Sequence, residues 1–139
     1  MGDAARRRLV AGFANYDGRR AEAPRDHRST VMVRFDDDFR ETGAWLFPEE
    51  VLARMKPYSA SGGAWGRDGL LWVTGHDRPE AYGLRLPTAG SRLELVRTVT
   101  IPTPGQAIDW DVTDPDVLWS VDRHAKPPVL VASRVPPTR

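Results

Sequence analysis

Apolar positions along this chain fall into short runs, each closed by glycine, proline or charged residues. The clearest stretch is Ser61–Asp77, SGGAWGRDGLLWVTGHD. It predicts a strand over Gly62–Trp65, a tight turn over Gly66–Gly69 and a second strand over Leu70–Thr74, closing on the polar Gly75-His76-Asp77. Before it, Leu9–Ala14 predicts a short strand and Asn15–Arg28 a long polar loop. Thr30–Phe35 and Thr42–Phe47 predict a hairpin around the acidic turn Asp36–Glu41. After it, strands are expected over Ala81–Leu86, Leu93–Ile101, Ala107–Trp110, Leu118–Val121 and Val129–Val135. The charged start, Met1–Arg8, is expected to fray.

Residues 48–56, PEEVLARMK, predict one short helix. Pro48 suits the first helical position, Glu49 and Glu50 sit where the helix dipole favours anions, and Lys56 sits where it favours cations. Val51, Leu52 and Met55 form a small apolar face, and Pro57 ends it. At about two turns it reads as an inserted connection, outside the core. The 12 prolines and 12 glycines between the runs leave no room for long helices. Proline removes a ladder donor and glycine allows positive φ, so both mark strand ends.

The strands repeat. Gln106–Arg123, QAIDWDVTDPDVLWSVDR, is a looser copy of the central stretch, with Trp65 and Trp110 45 positions apart and Trp72 and Trp119 47 apart. Leu9–Asp17 matches Leu70–Asp77 and Leu118–Arg123 as a third copy. Short strands repeating at this period are the pattern of a β-propeller blade. The expectation is an all-β fold: a partial propeller domain over 1–139, about two to three blades of four-stranded antiparallel sheet. Its units span 9–47, 62–101 and 107–135. With strands lettered a to d from the axis outward, they supply b-c-d, a-b-c-d and a-b-c. Complete propellers have about 4–8 blades, so the chain is expected to be part of a longer propeller or to complete a ring by self-association through its open blade edges.

The turn W-G-x-D-G-L-L-W-V-T at Trp65–Thr74, with W-D-x-x-x-P-D-V-L-W-S-V-D at Trp110–Asp122, resembles the C-terminal blades of bacterial β-propellers of the YncE-like, NHL-like and quinoprotein-like kinds. The resemblance covers about Leu9–Pro136. It implies the fold, and leaves the activity open because propellers host many unrelated functions.

Charge and composition then narrow the partners. Twenty Lys and Arg against 19 Asp and Glu give no global field for nucleic acid or a membrane surface. With no cysteine, a disulfide scaffold, a thiolate metal site and a cysteine nucleophile are excluded. No run approaches the ~20 apolar residues that span a bilayer, and the start carries no signal-peptide core. The chain is expected to be soluble and cytoplasmic, or exported if a longer form carries a leader.

Strand order sorts the loops onto two ends. The b–c loops, Asn15–Arg28, Gly75–Glu80 and Asp122–Pro128, hold all three histidines, His27, His76 and His124. Asp17, Asp26, Asp77, Asp122 and Arg123 fall there too. Imidazole beside carboxylate could hold a divalent metal, calcium or another, or act as an acid–base pair; the structural alternative is turn chemistry that ties the loops together. Asp111, Asp114 and Asp116 are a second oxygen-rich candidate for calcium, and Asp36–Asp38 reads as a solvated hairpin tip. The five tryptophans recur in register, which favours packing between units over a stacking platform for sugars or bases. Gly62-Gly63 lacks the Lys-Ser/Thr of a phosphate loop and instead suggests close backbone approach at Gly63. Ser59, Ser61 and His76 carry no nucleophile-elbow pattern. These features point to a binding module for an unidentified ligand or protein rather than an enzyme. A metal-dependent hydrolase of lactonase or esterase type on the histidine face is the alternative.

Overall fold

The computed structural model describes residues 9–18, 21 and 23–136. Met1–Arg8, expected to fray, lies outside them. Among the described residues ten strands form three antiparallel meanders. The first sheet is β1 (Val10–Phe13), β2 (Val31–Phe35) and β3 (Glu41–Leu46). The second is β4 (Gly62–Trp65), β5 (Leu71–Thr74), β6 (Glu80–Arg85) and β7 (Glu94–Thr100). The third is β8 (Ile108–Trp110), β9 (Val117–Asp122) and β10 (Val129–Arg134). The fold is all-β, and every strand lies within one residue of its expected ends.

Local chemistry sets the turns. Between β4 and β5, Gly69 takes φ +77°, which a residue without Cβ adopts freely. The Asp68 carboxylate accepts the Leu70 amide at 3.0 Å and the Trp72 indole N–H at 3.2 Å, fixing turn and strand together. The acidic tip behaves alike: Asp36 Oδ1 accepts the amides of Asp38 (3.0 Å) and Arg40 (2.8 Å).

The three sheets stack face to face, with the second in the middle. Successive strand residues point to opposite faces, so β5 divides between two cores and is buried throughout. Leu71 and Val73 pack with Tyr82, Leu84, Met32 and Phe47 towards the first sheet. Leu70 and Trp72 pack with Ala81, Ile101, Ile108 and Leu118 towards the third. Trp72 and Trp110 meet edge to face at 5.7 Å across this second junction. Trp72 stands opposite Gly83 on β6, where any Cβ would press on its ring and on Leu70.

The helix α1 (Glu49–Met55) corrects one expectation. It is part of the core rather than a mere connection: Val51 and Leu52 are fully buried and Met55 nearly so. The chain crosses from the first sheet to the second at this point. The apolar face of α1 closes the core between them, joining Phe47, Leu71 and Val73. A second correction concerns the glycine pair. The tight position is Gly62, whose Cβ would strike the Gln106–Ala107 backbone, whereas Gly63 has ordinary room. The cause is that β4 lies directly beside β8 and its incoming chain.

A candidate recognition site at the loop end of the stack

The β1–β2 and β5–β6 loops and the connections β3–β4 and β7–β8 meet at one end of the stack. The Asp17 amide donates to the Pro57 carbonyl at 2.9 Å. The backbone of Gly105 (φ +97°) lies against that of Gly75, with no space for a side chain. These contacts bring four separate segments around one imidazole.

That imidazole is His76. Its Nε2 is 3.2 Å from the Tyr16 hydroxyl and its Nδ1 is 3.4 Å from the Gln106 amide nitrogen. Tyr16 stands edge-on to it at 5.5 Å between ring centres, and Tyr58 is tilted against it at 4.8 Å. The two tyrosines meet edge to face at 5.4 Å. All four side chains are half-buried. Burial, helped by the nearby positive charge of Arg123 and opposed by Asp77, lowers the His76 pKa below its ordinary value, so the ring favours its neutral form.

Gln106 is held firmly. Its Oε1 accepts the Ser61 hydroxyl at 3.2 Å, and its backbone carbonyl accepts the Thr74 hydroxyl. Its φ is +141°, a value L side chains rarely adopt and one that costs roughly 1–3 kcal/mol.

The other sequence candidates separate from this cluster. His27 is buried in a 3-10 turn, His27–Ser29, capped by Asp26. Its Nδ1 lies 2.7 Å from Asp17 Oδ1, which also accepts the His27 amide at 3.1 Å. The hydrogen bonds from His27 hold the Asp17 pKa below the carboxylate range. Asp26 is drawn down to about 2 by the Arg28 guanidinium and amide. Asp17, Asp26 and His27 form the only metal-capable donor group among the described residues, their ligand atoms within 4.8 Å of one another. His76 is not part of it. Asp122 Oδ1 accepts the amides of His124 (2.9 Å) and Ala125 (3.3 Å), closing its own exposed loop.

The aspartates at the opposite end hold protein donors. Asp111 accepts Thr113, Asp114 and the Trp119 indole; Asp114 pairs with Arg134 and Asp116 with Arg67. Ser61 donates to Gln106, and among the described residues the buried Ser59 hydroxyl has no hydrogen-bond partner. No serine–histidine hydrogen bond is present among the described residues.

A further concavity of about 210 Å³ opens between the first two sheets, lined by Val10, Gly12, Met32 and Gly62-Gly63 among others. Trp65 is 40% exposed, whereas Trp110 meets the Trp72 indole.

The chain matches no family model, no curated protein and no solved structure. Among the described residues, no helix is long and apolar enough to cross a membrane.

Sequence reasoning found His76 but missed Tyr16, Tyr58 and Gln106. Tyr16 lies in the long polar loop Asn15–Arg28 and Tyr58 directly after Pro57, where periodicity carries no signal. Their common signal is position: each sits in a connection that strand order assigns to the same end.

Proposed function

We propose that the three sheets are successive propeller-type blades and that the chain is a non-catalytic binding module, with the loop end of the stack as its recognition surface. One observation carries this reading: Tyr16, Tyr58, His76 and Gln106 converge from four connections into a half-buried cluster of aromatic edges and hydrogen-bonding groups. The neutral ring and uncharged partners suit a polar ligand with little net charge, gripped by ring faces and hydrogen bonds. The strained Gln106 backbone supports the reading, because such strain collects where a side chain must be aimed. The test is a thermal-shift screen of neutral saccharides, nucleosides and short peptides on the wild-type chain and on His76→Ala and Tyr58→Ala. A ligand that raises the wild-type Tm and loses its effect in both variants supports the reading. No wild-type response, or an equal response in the variants, refutes it.

Asp17, Asp26 and His27 carry the second reading, a metal-dependent hydrolase. A divalent ion there must displace the Arg28 guanidinium from Asp26 and share Asp17 with His27. A calcium-, manganese- or zinc-dependent rise in Tm that Asp17→Asn abolishes would favour it over the first.

A further inference from the structure

We propose that the outer face of the third sheet in one copy of the chain packs on the outer face of the first sheet in a second copy, head to tail. The inference rests on the reading of the sheets as successive blades, and it names a partner for them.

The two internal junctions define the rule. In each, one face of a sheet receives the opposite face of the next. The second sheet offers Leu70, Trp72 and Ala81 forward to the third, and receives the first with Leu71, Val73 and Tyr82. The third sheet turns Ile108, Leu118 and Ser120 back to the second, so Trp119, Val121 and Leu130 point forward. The first sheet turns Val10 and Met32 towards the second, so Ala11, Phe13 and Val31 point backward. Each end therefore presents a mainly apolar sheet face of the kind that is covered inside the stack, with Asp109 beside Trp119 and Arg134 beyond Ala132 on the third sheet.

Trp119 makes the equivalence concrete. It holds the position of Trp72 in the repeat, and its indole N–H goes to Asp111 at 2.9 Å as that of Trp72 goes to Asp68. Trp72 is fully buried because a sheet follows it; Trp119 is 37% exposed and its neighbour Leu130 70% exposed. On the first sheet Phe13 is 51% exposed. The forward face of the third sheet is of the type that meets a backward face, and the first sheet of another copy offers one. Two different surfaces meet, so the contact is heterologous and can build a closed ring or an open chain.

Light scattering on the full chain over a range of concentrations tests this, with Phe13→Lys and Trp119→Lys, each first shown to be folded by circular dichroism. The expected wild-type mass is a multiple of 15.5 kDa. Each variant should fall to the monomer mass, because each loses one of the two complementary faces. Mixing the two variants should restore one contact and give a dimer, since each retains the face the other lacks. A wild-type monomer at every concentration overturns the proposal, as does an assembly that survives either substitution or one sensitive to Trp119→Lys alone, which would mean third sheet on third sheet. None of these outcomes touches ligand binding at His76, which the thermal-shift screen reads separately.

Discussion

Trp72 and Trp110 meet edge to face at 5.7 Å and tie the second sheet to the third. The contact depends on Gly83, which leaves room for the Trp72 ring across the strand pair. Trp72→Ala should cost about 3–5 kcal/mol, the range for emptying a buried aromatic site. Gly83→Ala should cost roughly 1–3 kcal/mol by overpacking. Urea titration followed by far-ultraviolet circular dichroism gives both values; a Gly83→Ala protein as stable as wild type would show that the ring can shift.

Gln106 offers a test of backbone strain. Gln106→Ala removes its side-chain bonds and keeps a Cβ at φ +141°, whereas Gln106→Gly removes the same bonds and the strain. The glycine variant should therefore be the more stable by about 1 kcal/mol, the reverse of the usual order. Denaturant midpoints of the two proteins, compared at equal m-values, decide it.

His76 should titrate below its ordinary value of 6.5. The unfolded chain then binds a proton that the folded chain resists. The stability from neutral His76 is thus complete above about pH 6.5 and is lost as the pH falls through the window beneath it. Arg123→Gln removes a repelling cation and should raise the imidazole midpoint; Asp77→Asn removes an attracting anion and should lower it. Both are read by nuclear magnetic resonance of the ring protons, and an unmoved midpoint in Arg123→Gln would contradict the assignment.

Tyr82 is buried, and its hydroxyl donates to Glu80 Oε2 at 2.6 Å. Burial first, then the Glu80 carboxylate, push its pKa up to about 12. Ultraviolet absorption should show a phenolate step near that pH which Tyr82→Phe abolishes. The substitution should also cost about 0.5–1.5 kcal/mol, the net worth of an ordinary hydrogen bond.

The strands were legible because glycine, proline and aspartate carry their own backbone chemistry, so Gly69 and Asp68 mark a turn wherever they stand. Burial was less legible. The apolar face of α1 is too short to announce whether it covers a core, and only the stacking of two sheets beneath it decides that. At the loop end, strand order brought His27, His76 and His124 to one face, but it could not separate them. His27 turned inward to Asp17, His76 gathered two tyrosines, and His124 stayed with its own turn. Those choices depend on contacts between loops distant in sequence, such as Tyr16 with His76 across 60 positions.

The β5 strand has no face of its own to give to water, and this bears on how the molecule opens. An outer sheet can detach and expose one core; the middle sheet cannot open without exposing both. Amide exchange should therefore be slowest along β5 and β6, and the two ends should fray in separate, lower-energy steps. The same coupling makes β5 the strand least free to vary, since a change on either side is felt by a different neighbour.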